Sequence, residues 1–188
     1  MRKANAGFTT MELLVVLAIL GILAIIAVPT LMNELPRYRL KKAANELYAN
    51  MQRARMGAIK DNHNWAIVFD TSVSPGRYFI CSEDVDDDGW DGPAVMGGDD
   101  ALVKAVNLSD YLSGVDFGHG TADDDIPGNG AVPADDITYG SDVLVFNSRG
   151  TGSAGYVYLE NNRDDAYGVG TRSSGVILLR EWRNGAWQ

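Results

Sequence analysis

Several side chains in this sequence are of types and spacings that could do chemistry, and the densest set is acidic. In DVDDDGWDG, Asp84, Asp86 and Asp88 stand at alternate positions, Gly89 permits a sharp turn and Asp91 follows. Hard carboxylate oxygens converging on a turn suit Ca2+, and the spacing is that of the first half of a calcium-binding loop. The glutamate expected six residues beyond the glycine is absent, that position being Val95. Asp91 or a distant acid would have to complete the shell, and solvated acidic turns are the competing reading. Asp99 and Asp100, Asp123 to Asp125, Asp135 and Asp136, and Asp164 and Asp165 pose the same choice. His63 in DNHNW and His119 in GHG lack tight ligand spacing, and the serines of YGSD and NSRGTGS form no nucleophile elbow. No residue is assigned to catalysis.

The other chemically pointed residue is Glu12, because of where it lies. From Phe8 to Val28 it is the only ionisable side chain, and as a helix this run reaches roughly 30 Å, about the hydrocarbon thickness of a bilayer. A carboxylate so placed is expensive in lipid unless it snorkels or finds a partner. The basic leader MRKANAG precedes it, and no small-x-small cleavage pattern follows the apolar run, so the candidate processing point is the Gly7 to Phe8 junction. Cutting there leaves the helix on the product and creates a new amine at Phe8. Between staggered copies, one subunit's amine can meet the next subunit's Glu12 and set the register of a helical assembly. A tolerated interfacial acid on a plain bitopic anchor is the alternative. Arg2 and Lys3 hold the N-terminus on the cytoplasmic side, so the rest of the chain projects outward.

With these residues in place, GFTTMELLVVLAILGILAIIAVP resembles the class III signal of type IV pilins and type II secretion pseudopilins, with Gly7, Phe8, Glu12 and the closing Pro29 at the matching positions. The resemblance implies that a membrane-embedded prepilin peptidase cleaves after Gly7 and methylates the Phe8 amine. It also implies that the helix first anchors the subunit in the inner membrane and later packs in a filament core.

The elements that must position these residues follow in order. The 188 residues suit one anchor and one domain of about 125 residues. The net charge of -9 argues against a general phosphate-binding surface, so no nucleic acid is favoured as a partner. Cys81 is the only cysteine, which excludes an internal disulfide. Its place in YFIC suggests a buried thiol, with intermolecular pairing as the alternative.

From Arg37 to Lys60 the pattern is an amphipathic helix, with Leu40, Ala44, Leu47, Met51, Ala54 and Ala58 on one stripe. Pro29 and Pro36 bracket TLMNEL, where the helix continues with kinks or loosens. The opposite face carries Arg37, Arg39, Lys41, Lys42, Arg53, Arg55 and Lys60. This face suits a neighbour's acidic domain, membrane lipid headgroups, plain solvent or nucleic acid. Strands are expected at Trp65 to Phe69, Arg77 to Cys81, Leu102 to Val106, Val115 to Phe117, Val143 to Phe146, Tyr156 to Leu159 and Val176 to Leu179, the last covered on both faces. The fold class is therefore α+β, a long N-terminal helix packed on a C-terminal antiparallel β-domain of two small sheets. The divisions are a leader at 1–7, a transmembrane and filament-core helix at 8–28, its amphipathic continuation at 29–62 and a periplasmic β-domain at 63–188.

The stretch RLKKAANELYANMQRARMGAIKDN, with FNSRGTGSAGYVYL and SSGVILL, is similar to the GspH minor pseudopilin and FimT pilus family. The resemblance implies a pilin-like fold and a noncatalytic subunit that joins a short periplasmic filament at or near its tip. Its partners would be the prepilin peptidase, other pseudopilins or minor pilins, and the inner-membrane assembly platform. A minor type IV pilin that primes a pilus is the runner-up, and an acid-loop binding module tethered by its helix is a third.

Overall fold

The computed structural model describes residues 9–83, 100–128 and 130–188, apart from the side chain of Thr30. Within them one long helix, α1 (Thr10–Asp61), is followed by β1 (Trp65–Asp70), β2 (Arg77–Ser82), β3 (Ala101–Asn107), β4 (Asp116–Phe117), β5 (Val143–Phe146), β6 (Gly155–Glu160), β7 (Ala166–Thr171), β8 (Ile177–Arg183) and β9 (Ala186–Trp187). The chain divides into two units, one ending at Leu35 and the other running from Pro36 to Gln188.

In the first unit the large apolar side chains from Leu13 to Val28 are 46–74 % exposed. The helix is long and apolar enough to cross a membrane.

In the second unit α1 is an amphipathic helix whose stripe is buried as its spacing requires: Leu40, Ala44, Leu47, Met51, Ala54 and Ala58 are all 0 % exposed. Each large member contributes roughly 1.5–3 kcal/mol by burial, while the alanines let the helix axis lie close to the strands. The helix stops where Asn62 turns left-handed at φ 61° and donates its N–H to the Ala58 carbonyl at 3.1 Å. This is the single-bond cap that a short amide side chain tolerates.

Two antiparallel sheets share the core with this helix. The first has the order β3-β2-β1-β5 and the second β4-β6-β7-β8-β9. In the first, β1 pairs with β2 from Trp65 opposite Ser82 to Asp70 opposite Arg77, and with β5 from Trp65 opposite Phe146 to Val68 opposite Val143. Alternation sends Trp65, Ile67 and Phe69 into the core beside Leu144, Phe146 and Ile80, with Val157, Leu159 and Val169 of the second sheet in the same cluster.

The last expected strand differs from its expectation. Val176 lies outside β8 and is 46 % exposed, and only Ile177 of the run is fully buried, because β8 lies one strand from the sheet edge, beside short β9. The strand buried along its whole length is β7, AYGVGT, which sits at the centre of the second sheet.

Candidate functional site

The helix start is built by local hydrogen bonds. Thr9 donates its backbone N–H and its hydroxyl to Oε2 of Glu12, each at 3.0 Å, and the Glu12 N–H donates back to the Thr9 hydroxyl at 3.2 Å. Thr9 is thus the N-cap and Glu12 the third helical residue of a reciprocal capping box. The pattern T-x-x-E announces it in the sequence, and reading Glu12 only as a charge passes over it. Gly7 and Phe8 lie outside the described residues. Pro29 lies inside α1.

The basic face of α1 is largely used inside its own domain. Arg37 donates to Glu181 at 2.7 Å, Glu181 also holds Arg183 at 2.8 Å, and Arg39 donates to the Ser113 hydroxyl at 2.6 Å. Lys42 stands 5.7 Å from the centre of the Tyr111 ring. Glu46, beside it, accepts from Lys104 at 2.9 Å, and this ammonium hydrogen bond holds the Glu46 carboxyl below its ordinary value. Lys41, Arg53 and Lys60 stay exposed.

Near the end of α1, Arg55 Nε donates to the Gly150 carbonyl at 2.8 Å. Gly175, left-handed at φ 78°, packs so closely on that carbonyl that no side chain fits. The three stretches singled out in the sequence, from the helix, FNSRGTGS and SSGV, therefore meet at one point.

The described acids brace loops. Asp116 accepts from the Ser74 hydroxyl and the Gly76 N–H, both at 2.7 Å. Asp125 accepts from the N–H groups of Gly128 and Gly130, and Asp165 from the Asn161 amide. His119 pairs with Asp136, whose carboxyl is pushed up by burial. Asp116, Asp135 and Asp136 line a cavity of about 160 Å³ with Thr71, Ser74 and Phe117. Among the described residues no group of three or more His, Cys, Asp or Glu side chains is placed to hold a metal ion. The expected calcium ligands Asp84, Asp86, Asp88 and Asp91 lie outside the described residues. Cys81 is buried, as its strand context suggested.

A membrane-length apolar helix with one acid in its capped first turn, continuing into an amphipathic half laid on antiparallel sheets, defines a pilin-like subunit. Residues 2–28 match the family model of the prokaryotic N-terminal methylation motif. Residues 43–175 match the model of the type II transport protein GspH, and the chain belongs to that family. Among solved structures it is similar to the minor pseudopilin EpsH from the Type 2 Secretion System of Vibrio cholerae, at 15 % identity over 75 % of this chain and 95 % of that one, with a TM-score of 0.48. No curated protein matches the chain.

Proposed function

We propose that this chain is a minor pseudopilin that enters a type II secretion pseudopilus at or near its tip and supports protein export. Prepilin peptidase cleaves between Gly7 and Phe8 and methylates the new amine. Residues 8–28 then anchor the subunit in the inner membrane, 29–62 continue the helix and 63–188 form the periplasmic domain. The assembly platform draws the anchor out of the lipid to pack with other pseudopilins. Glu12 pairs with a neighbour's Phe8 amine and sets the register, and Pro29 marks the end of the packed span. The observation that carries this reading is one apolar helix whose large side chains from Leu13 to Val28 are exposed, in a chain with a GspH-family domain. The net charge of -9, with Glu181 bridging Arg37 and Arg183, supports a protein partner over nucleic acid.

The test is crosslinking of the mature chain in its native membrane, with mass spectrometry of its N-terminus and partners. Secretion pseudopilins crosslinked to a chain that begins at methylated Phe8 are the expected result. Recovery of pilus subunits would reassign the chain to priming a type IV pilus, and an uncleaved leader with no pilin-like partner would overturn the filament role. Glu12→Gln separates the two duties of that residue. Glutamine serves the capping box but carries no charge, so loss of crosslinks in Glu12→Gln assigns register to the charge.

A further inference from the structure

The loop from Leu108 to Val115, between β3 and β4, holds a bulky apolar side chain out to water on a rigid base. Leu112, Ser113 and Gly114 follow one another in the left-handed region, at φ 61°, 55° and 66°. Glycine takes that conformation without steric cost, so a loop that needed the backbone shape alone would be better served by glycine at 112. Leucine stands there instead, 60 % exposed. Its surroundings are fixed. Leu108 and Tyr111 are buried. The Leu112 N–H donates to the Ser109 carbonyl and the Val115 N–H to the Leu112 carbonyl, both at 3.2 Å, and the Asn162 N–H donates to the Ser113 carbonyl at 3.1 Å. Covering Leu112 with a partner therefore costs little ordering entropy.

The same loop is tied to the start of the domain's part of α1. Arg39 bonds the Ser113 hydroxyl and Lys42 lies over the Tyr111 ring, so Leu112 is flanked by these two cations. Tyr38, 68 % exposed, shares a helix face with Lys41 and Lys42 one turn on. Lys42, Glu46, Lys104 and Asp110 line a cavity of about 190 Å³, where two ammonium groups meet two carboxylates. Arg39 and Lys41 are left as net positive charge at the patch, because among the described residues neither is bonded to a carboxylate. An exposed tyrosine and leucine set among lysine and arginine suit a membrane interface, with apolar groups entering the headgroup boundary and cations meeting phosphate. The chain also brings the patch to lipid. The second unit begins at Pro36, and Tyr38 is ten residues past Val28, so by any path it lies within roughly 36 Å of the end of the apolar run.

We infer that Tyr38, Leu112 and the cations Arg39, Lys41 and Lys42 form a docking surface for anionic lipid headgroups, on which the domain rests while residues 8–28 anchor the chain. The inference rests on the anchored state proposed above and adds a second, releasable contact to it. Entry into a filament must then break this contact as well as draw the anchor from lipid.

The experiment places the full chain in nanodiscs of phosphatidylglycerol and phosphatidylcholine in equal amounts, or of phosphatidylcholine alone, with a nitroxide on a fraction of the headgroups. Cys81→Ala removes the native thiol. A fluorophore is attached through Ser109→Cys, which leaves Leu112 intact, or through Met56→Cys, about 27 Å beyond Tyr38 along α1. Quenching several-fold stronger at Ser109 than at Met56, and weaker in phosphatidylcholine alone, is the expected result. Lys41→Glu with Lys42→Glu should lower the ratio of docked to undocked domain about 10-fold or more. Leu112→Ser should lower it roughly 10-fold. All three side chains are exposed, so these variants keep the fold. Equal quenching at the two positions, or quenching at Ser109 indifferent to phosphatidylglycerol and to the variants, overturns the docking and leaves the anchor in place. Shielding that rises with the number of copies per disc gives the patch to a second copy instead. A chain that elutes apart from the discs overturns anchoring and docking together.

Discussion

Gly175→Ala should be among the most damaging single-methyl changes in the domain, and Gly185→Ala supplies its control. Both glycines are left-handed, at φ 78° and 73°. Alanine in that conformation costs about 1–2 kcal/mol at either site. At Gly185 nothing lies within 4 Å of the added methyl, so the conformational cost is the whole cost. At Gly175 the methyl collides with the Gly150 carbonyl, which is also the acceptor of Arg55. Moving it adds roughly 1–3 kcal/mol of overpacking and weakens a charge-assisted bond of about 1.5–3 kcal/mol. For a domain of this size each kcal/mol is about 2–4 °C in Tm. Gly185→Ala should therefore lower Tm by about 2–8 °C, and Gly175→Ala by roughly twice as much or more. The assay is thermal unfolding of the full chain in detergent, followed by tryptophan fluorescence. Arg55→Ala combined with Gly175→Ala should destabilise by less than the sum of the two, since both break one contact. Equal Tm shifts for the two glycine variants, or full additivity with Arg55→Ala, would refute the three-way junction.

The remaining predictions concern the core, acid and calcium. Met51→Ala, at 0 % exposure on the helix stripe, should cost about 2–5 kcal/mol in urea unfolding, whereas Met56→Ala, 65 % exposed, should stay within about 0.5 kcal/mol. The Glu46 carboxyl is held below its ordinary 4.5 by the Lys104 ammonium, so its contribution is present above that value and lost as pH falls through the lowered one. Glu46→Gln should flatten the acid limb of the stability curve, and an unchanged limb would remove the ion pair from the account. The comparison must be made between variants, because Asp136, raised by burial, gives a slope of opposite sign. If Asp84, Asp86, Asp88 and Asp91 hold calcium, the ion at ten times its Kd should stabilise the chain by about 1.4 kcal/mol. Asp88→Asn should then abolish that Tm shift, and no shift up to millimolar calcium would leave these residues as solvated acids.

What the sequence made legible was whatever repeats at a fixed local period. The stripe from Leu40 to Ala58 is 3.6-periodic and every member is buried. The strands around Ile67 and Ile80 alternate or run apolar, and they lie within a residue or two of their expected bounds. β7 is illegible because Gly168 and Gly170 weaken the strand pattern of AYGVGT. In the fold they are what make the strand possible: the Ile126 side chain lies over Gly168 and the Tyr156 ring over Gly170, where a Cβ would collide with each. The use of the basic residues is hidden for a different reason. Arg37 finds Glu181 at a separation of 144 residues and Arg55 finds Gly150 at 95, and no local spacing encodes such partners.

The capping box and the proposed intersubunit pairing make compatible demands on Glu12. Both bonds from Thr9 fall on one oxygen, Oε2. The cap thus fixes the side chain against its own first turn and leaves Oε1 to accept from a donor outside the chain. A carboxylate held in this way has already lost its rotamer freedom, so pairing it with a cation costs less ordering entropy than recruiting a mobile side chain. That matters in this helix because the exposed leucines, isoleucines and valines from Leu13 to Val28 gain no hydrophobic free energy by leaving lipid for a neighbouring helix. Close packing alone lets such helices slide against one another with little change in energy. A single preorganised charge pair, in a medium where an unpaired charge is costly, gives the sliding coordinate one deep minimum.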